Sequence, residues 1–232
     1  MEKNFNKLRK FRVNTLTTLD RFITEHVKHL NNSTYILRFS GGGMDFKPGQ
    51  YIKLGLKGSD EHREYSIYSS PGGTSIELLI KEVDDGKVSQ QLGKVKPGDE
   101  LSVKGPYGSF LADAKPKQGE KLLFIASGTG IAPFHSFILS HPEADYRLIH
   151  GIRDINEAYE KEHYATGRYF SCTSRGNKGD FNGRITDYLL SNTEEKADKV
   201  YLCGNSSMIY DAMDILRAQG YRQDQLLTEA YF

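Results

Sequence analysis

Two closely spaced glycines in Gly128-Thr129-Gly130 are typical of a turn that binds a phosphate. The apolar run Leu122 to Ala126 precedes them and the periodic apolar run Ile131 to Leu139 follows, which predicts a strand, a tight turn and a helix start. The first amides of a helix lack intrahelical partners and carry partial positive charge, so they suit a pyrophosphate. A plain strand-to-helix connection has the same pattern, and the turn alone leaves both interpretations open.

A second candidate site is the segment Arg63-Glu64-Tyr65-Ser66. On a strand, Arg63 and Tyr65 would share one face, because side chains alternate between the two faces. An arginine beside an aromatic ring suits a ligand that carries both a phosphate and a flat ring. A cross-strand pair on the protein surface would explain the same pattern.

A third candidate is a short helical turn between strands, where Gly86 turns the chain and the amides of Lys87 to Ser89 open the helix. These amides and the Ser89 hydroxyl could bind a second phosphate. The alternative is a short crossover helix with no ligand.

Candidate ligand-binding residues also follow several strands predicted in the second half of the chain. They are Arg153, Ser174, Arg175 and Cys203-Gly204, with Arg184 in the loop before a later helix. Guanidinium groups bind phosphate with two donors at once, so this set favours the extra ribose phosphate of NADP. Asp154 is a nearby carboxylate of the kind that NAD enzymes place near the ribose, so NAD stays open at this point.

The elements that position these residues change type along the chain. The first half shows short runs with period-two alternation, which predicts an antiparallel barrel or sandwich. The clearest strands are expected at Tyr35 to Phe39, Gln50 to Leu56, Arg63 to Tyr68, Ile76 to Glu82 and Glu100 to Gly105.

Beyond Pro116 strands alternate with helical stretches, which predicts a parallel α/β domain whose ligands bind at the carboxyl ends of the strands. Strands are expected at Leu122 to Ala126, Tyr146 to Gly151, Tyr169 to Thr173 and Lys199 to Cys203. Helices are expected at Ile131 to Leu139, Asn156 to Tyr164, Ile185 to Ser191 and Ser206 to Gln219. We therefore expect two domains, an antiparallel β-barrel at 1–114 and a parallel-sheet α/β domain at 115–232.

Composition excludes several classes of function. The 232 residues carry a net charge of +1, which argues against a nucleic-acid partner, and include two cysteines, too few for a four-thiolate zinc site or a cysteine-ligated iron–sulfur cluster. The seven histidines are scattered, so no metal site is expected. No signal peptide or long apolar run is present, so we expect a cytoplasmic protein without membrane insertion. The basic residues near the N-terminus fit either a solvated strand or a docking patch for an acidic partner: Lys3, Lys7, Arg9, Lys10 and Arg12.

The order of four motifs resembles that of the ferredoxin-NADP reductase family: Arg63-Glu64-Tyr65-Ser66, Gly86-Lys87-Val88-Ser89, Gly105-Pro106-Tyr107-Gly108 and Gly128-Thr129-Gly130-Ile131-Ala132-Pro133. The resemblance covers nearly the whole chain. It implies FAD in the barrel, with Arg63 on the pyrophosphate, Tyr65 against the flavin ring and Ser66 beside its reactive nitrogen. It also implies that Ile80, Lys81 and Glu82 line the flavin and that Gly86, Val88 and Ser89 cap the pyrophosphate.

The same resemblance assigns the second domain to NADP(H). Gly128, Thr129, Gly130 and Gly204 would contact the dinucleotide, and Ser174, Arg175, Arg184 and Arg153 would bind it near the 2'-phosphate. Cys203 would lie near the nicotinamide. At the C-terminus, Glu229 would belong to the hydride- and proton-transfer site, Tyr231 would cover the flavin and Phe232 would pack near the FAD. The chain ends in Tyr-Phe, whereas relatives end on the stacking tyrosine.

The resemblance implies an FAD-dependent oxidoreductase that exchanges electrons between NADP(H) and a separate ferredoxin or flavodoxin. A reductase of free flavins, ferric complexes or an oxygenase component is an alternative within the same fold. A flavin- or nucleotide-binding regulatory module without turnover is an alternative of another class.

Overall fold

The computed structural model describes residues 21–111, 115–192 and 195–231, and the basic residues before Arg21 and the terminal Phe232 lie outside these ranges. The first sheet is antiparallel, with six strands in the order β4-β3-β6-β1-β2-β5. They are β1 (Phe22–His29), β2 (Thr34–Ser40), β3 (Tyr51–Leu56), β4 (Arg63–Ser66), β5 (Ser75–Lys81) and β6 (Glu100–Tyr107). A bridge between Ile67 and Leu78 joins the end of β4 to β5, so the sheet closes into the predicted barrel.

Alternating side chains explain why the barrel strands were predictable. In β3, Ile52 and Leu54 are fully buried, whereas Tyr51 and Lys53 are partly exposed. The short helix α1 (Lys87–Leu92) also lies where a helical turn was expected. The strand β1 was missed because its sequence, FITEHVKH, shows little apolar alternation.

The second sheet is parallel, with the strand order β10-β9-β8-β7-β11-β12. Its strands are β7 (Lys121–Ser127), β8 (Asp145–Ile152), β9 (Tyr169–Thr173), β10 (Phe181–Asn182), β11 (Lys199–Asn205) and β12 (Leu226–Tyr231). The chain leaves β7 for β8 on one side and later returns to β11 on the other. The carboxyl ends of β7 and β11 therefore meet at a topological switch point, where ligands of such sheets bind.

Three of the four helices expected in this domain are confirmed as α2 (Ala132–Ser140), α3 (Ile185–Ser191) and α4 (Ser206–Ala218). The helix expected at Asn156 to Tyr164 is wrong. This crossover contains two short 3-10 turns, Ile155–Glu157 and Lys161–His163, and Glu160 between them adopts a left-handed conformation with φ 43°. Tertiary contacts explain the difference, because polar side chains of this crossover bond to the barrel, as described below.

One apolar cluster joins the two domains. Ile36 and Leu79 of the barrel belong to the same buried cluster as Phe124 and Phe134 of the α/β domain. This shared core fixes the barrel against the carboxyl edge of the parallel sheet. The predicted boundary between residues 114 and 115 borders the undescribed residues 112–114 and stays a prediction. Within the described ranges, every helix is too short or too polar to cross a bilayer.

Candidate active site

A cleft of about 1120 Å³ lies between the barrel and the carboxyl edge of the parallel sheet. The barrel side contributes, among others, Arg63, Tyr65, Ser66, Lys81, Gly86, Val88 and Ser89. The α/β side contributes, among others, Gly128, Thr129, Arg153, Ser174, Arg175, Arg184, Gly204, Glu229 and Tyr231. Most side chains that the sequence proposed as site residues thus line one continuous cleft, although they come from distant parts of the chain.

At one end of the cleft, Ser66, Glu229 and Tyr231 form a hydrogen-bonded group that we term the inner end. The Tyr231 hydroxyl donates to Ser66 Oγ at 2.8 Å, and Ser66 Oγ donates to Glu229 Oε2 at 3.4 Å. Ser66 closes β4 of the barrel, whereas Glu229 and Tyr231 lie on β12 of the other domain. The inner end therefore exists only when the two domains are packed together.

Glu229 is the residue of the inner end whose carboxyl titrates near neutral pH. Burial raises the pKa of its carboxyl to about 7, the negative charge of Glu64 adds to the rise, and the hydrogen bond from Ser66 opposes it. A carboxyl with this pKa can both hold and release a proton at physiological pH, which suits a site of proton transfer.

Cys203 lies behind this group on β11, paired in register with Glu229. Its side chain is fully buried and does not line the cleft. Burial raises the pKa of the thiol well above its ordinary value, so the sulfur stays protonated. Its surroundings suit a packing role beside Tyr231 and not a thiolate nucleophile.

The glycine turn after β7 opens onto the cleft as the sequence suggested. Gly128 has φ +55°, and a Cβ placed there would have no atom within 4 Å, so the main chain is open to a ligand. A Cβ on Gly130 would lie 2.5 Å from the Cys203 carbonyl oxygen. Gly130 is therefore required for the close approach of the turn to β11 and does not itself line the cleft.

The opposite end of the cleft, which we term the arginine end, consists of Arg153, Ser174, Arg175 and Arg184, all exposed. Main-chain hydrogen bonds join its loops, because the Arg153 carbonyl accepts from the amides of Arg175 and Gly176 at 2.9 and 3.0 Å. The Asp154 carboxylate accepts from the Asn156 amide at 3.2 Å and is not among the residues that line the cleft. The arrangement brings cationic side chains together at a solvated edge.

On the barrel wall, Arg63 is exposed and its guanidinium donates to the carbonyl of His62 at 2.9 Å. The Ser89 hydroxyl donates to the Gly86 carbonyl at 3.0 Å, which holds the turn before α1. Ile80 is fully buried in the barrel core, and neither Ile80 nor Glu82 lines the cleft. The position of these two residues does not support the prediction that their side chains contact a flavin.

Both domains match known families. Residues 22–111 match the oxidoreductase FAD-binding domain, and residues 124–214 match the oxidoreductase NAD-binding domain. The chain belongs to the ferredoxin-NADP reductase-like family of FAD- and NAD(P)-binding oxidoreductases.

Relatives in this family differ in length and in name. The reductase component of propane 2-monooxygenase from Mycolicibacterium goodii is 32% identical over 213 residues, covering 82% of this chain and 60% of that protein. Ferredoxin-NADP reductase from Azotobacter vinelandii is 29% identical over 238 residues, covering 88% of this chain and 90% of that protein. The chain spans 56 to 60% of the length of the propane monooxygenase reductase components that it matches.

The fold has a clear counterpart among solved structures. A ferredoxin-NADP reductase from Neisseria gonorrhoeae, solved with bound FAD and NADP, superposes with a TM-score of 0.83 at 24% identity. The superposition covers 91% of this chain and 98% of that one, so the two-domain fold is shared almost completely.

The cleft of this reductase-like chain fits a flavin and a dinucleotide. Its volume of about 1120 Å³ is large for a ligand site, and the open main chain at Gly128 provides space for a phosphate. Arg63 on one wall and Arg175 on the other supply cations for two separate phosphate groups. The donor set therefore has the chemistry that both cofactors need.

Sequence reasoning missed three residues that shape this site. Glu157 accepts from Lys81 Nζ and from the Arg153 amide, both at 2.9 Å, and so ties the barrel wall to the arginine end. His150 is fully buried and its Nε2 lies 2.8 Å from the Gly128 carbonyl, which it supports. Asp211 on α4 lines the cleft. Local sequence does not mark the Glu157–Lys81 and His150–Gly128 contacts, because the partners are distant in the chain.

Proposed function

We propose that the chain is an FAD-dependent oxidoreductase that takes electrons from NADPH and delivers them to a separate one-electron carrier. The observation that carries this proposal is the inner end, where the barrel's Ser66 meets Glu229 and Tyr231 of the other domain. A regulatory module has no need for a carboxyl poised near neutrality at the junction of two cofactor domains.

The barrel wall would hold FAD. Arg63 would pair with the pyrophosphate and Tyr65 would cover a face of the ring, with the turn at Gly86, Val88 and Ser89 closing over the phosphates. Lys81 is already fixed by its ion pair with the buried Glu157, so its ammonium would meet the flavin in one orientation. Together these contacts would hold the flavin against the barrel wall of the cleft.

The inner end would control protons and access. FAD supplies hydride acceptance from NADPH and release of the electrons one at a time. Ser66 would donate a hydrogen bond beside the ring, Glu229 would hold or release a proton near pH 7, and Tyr231 would exclude water from the face where nicotinamide must stack. Tyr231 must move for the nicotinamide to approach, so it would act as a competing ring.

The arginine end would select NADPH. Arg175 and Arg184 would bind the 2'-phosphate with the Ser174 hydroxyl, and Arg153 would join them because its loop is bonded to that of Arg175. Gly128, Thr129 and Gly204 would contact the rest of the dinucleotide.

Two carriers are compatible with this chemistry. A ferredoxin or flavodoxin is one, and an oxygenase system is the second, favoured by the similarity to reductase components of monooxygenases. The 232 residues hold two cysteines, fewer than an iron–sulfur cluster with four thiolate ligands needs, so such a cluster would come from outside these residues.

The test is a spectrum followed by a turnover assay. We expect the purified protein to bind FAD, to bleach anaerobically with NADPH faster than with NADH, and to reduce a ferredoxin or flavodoxin in a coupled assay. A protein that does not take up FAD would overturn the proposal. Bleaching with NADPH but transfer only to free flavin, ferric complexes or an oxygenase component would keep the flavoprotein assignment and reject the ferredoxin or flavodoxin assignment.

A further inference from the structure

Three side chains outside the cleft converge at the junction of the domains. His135 on α2, and Glu160 and His163 on the crossover between β8 and β9, place their nitrogen and carboxylate oxygen atoms within 4.8 Å of one another. None of the three lines the cleft. Their proximity is a product of the fold, since residues 135 and 160 are far apart in the chain.

His135 presents a fixed lone pair to this cluster. The residue is 2% exposed, and its Nδ1 lies 2.8 Å from the Tyr68 carbonyl, which can only accept, so Nδ1 carries the hydrogen. Nε2 therefore offers its lone pair to His163 Nδ1, 2.9 Å away. An imidazole bonded to a main-chain carbonyl through its other nitrogen is the usual setting of a metal-binding histidine.

Glu160 is oriented toward the same point. Its Oε2 lies 3.5 Å from His163 Nδ1 and accepts from the Tyr68 hydroxyl at 3.1 Å, while Lys28 Nζ pairs with Oε1 at 2.6 Å. Glu160 is also the one non-glycine residue with positive φ among the described parts of the chain. Strained backbone of this kind concentrates at functional sites.

We propose that His135 Nε2, His163 Nδ1 and a Glu160 carboxylate oxygen bind a divalent transition-metal ion of the zinc class. Two nitrogens and one oxygen suit zinc and leave a fourth position for water. In the metal-free arrangement a single hydrogen lies between the two imidazoles. The metal would replace it, and His163 would carry that hydrogen on its other ring nitrogen.

The occupied site would join α2 to the crossover between β8 and β9, where both contact the barrel. Tyr68, which bonds both His135 and Glu160, follows Ser66 of the inner end by two residues, and Lys28 belongs to β1 of the barrel. A bound ion would therefore stabilise the folded protein by fixing the side chains that bond to Tyr68 and Lys28, and the effect is measurable without turnover.

The experiment uses FAD-loaded protein after chelator dialysis, titrated with Zn²⁺ against a chromophoric competitor. We expect one Zn²⁺ per chain and a rise in melting temperature. His163→Ala and Glu160→Gln should each weaken binding at least about tenfold and remove the rise in melting temperature. His26→Ala, an exposed histidine on β1, is the matched control and should change neither.

Co²⁺ provides a second measurement that does not depend on how the variants fold. Bound to the parent protein, it should show intense visible bands at wavelengths beyond the flavin absorption, typical of four-coordinate nitrogen and oxygen ligation. The proposal is wrong if these bands are absent, if the protein does not bind Zn²⁺, or if all variants bind Zn²⁺ with equal affinity. The cluster would then be a hydrogen-bonded interdomain contact without a metal.

Discussion

The two ends of the cleft differ in how far their side chains are fixed before a ligand arrives. At the inner end, Ser66, Glu229 and Tyr231 bond to one another and burial raises the pKa of Glu229 to about 7. At the arginine end, Arg153, Arg175 and Arg184 are exposed, and main-chain bonds fix their loops while leaving their side chains in water. The comparison separates a preorganised site for chemistry from a solvated site for recognition.

The largest effect is expected from Glu229→Gln, which keeps the shape of the inner end and removes its titration. We expect flavin reduction by NADPH to slow by roughly 10²- to 10⁴-fold, the range typical of a lost acid–base group, with little change in NADPH binding. The parent protein should show a step in the reduction rate centred near pH 7, and the variant should not. Stopped-flow absorbance across pH measures both, with the surface change Glu143→Gln as control.

The same variant tests the pH dependence of stability. Because the folded pKa of Glu229 lies above the ordinary value of 4.5, the folded protein binds a proton that the unfolded chain has lost. Its contribution is therefore complete below about pH 4.5 and disappears as pH rises through about 7. As pH rises from about 4.5 to about 7, the parent protein should lose stability that Glu229→Gln does not lose. The melting temperature of the variant should therefore rise relative to that of the parent over this range. If the two curves of melting temperature against pH stay parallel, the Glu229 carboxyl does not titrate in this pH range.

The next effect is expected from Arg63→Ala, on the barrel wall of the cleft. Loss of a charge-assisted bond to the pyrophosphate should weaken FAD binding by ~1.5–3 kcal/mol, or roughly ten- to a hundredfold. Flavin occupancy after gel filtration and titration of the apoprotein measure the loss. Arg38→Ala, which removes another barrel arginine paired with Glu25 and Glu77, should leave FAD affinity unchanged.

At the arginine end, Arg175→Ala and Arg184→Ala should each raise the KM for NADPH by roughly tenfold, because water screens exposed ion pairs, and should leave that for NADH nearly unchanged. Steady-state kinetics with both coenzymes measure this ratio, and Arg222→Ala on the remote surface is the control. Equal losses with NADPH and NADH would show that these arginines bind a group common to both coenzymes.

The smallest effect is expected from Tyr231→Phe, which keeps the ring and removes the hydroxyl that donates to Ser66. One neutral hydrogen bond contributes ~0.5–1.5 kcal/mol, so flavin reduction should slow less than about tenfold. Deletion of residues 231 and 232 should instead alter the flavin spectrum and tighten nicotinamide binding, since it removes the competing ring. If Tyr231→Phe changes the flavin spectrum and nicotinamide binding as much as the deletion does, these effects depend on the Tyr231 hydroxyl and not on its ring.

Much of the fold could be predicted from the local pattern of apolar and polar residues. Period-two alternation in β3 and the apolar run of β7 report burial directly, so the barrel and the parallel sheet were readable from the sequence. The turn at Gly128 was readable for the same reason, because strand, glycine and helix start are adjacent in the chain. Strand β1 was not, since four of its eight residues, Glu25, His26, Lys28 and His29, are exposed and polar.

Contacts between distant residues were decided by the tertiary structure alone. The crossover at 155–163 has the composition of a helix, yet Glu157 and Glu160 bond to Lys81, Lys28 and Tyr68 of the barrel, and these bonds replace helical geometry with short turns. The same packing brings His163 to His135, although the histidines looked scattered in the sequence. Sequence determined which segments form strands, turns and helices because that information is local. Which polar groups meet, and with what pKa, depends on the packing of one domain against the other, and no local pattern encodes it.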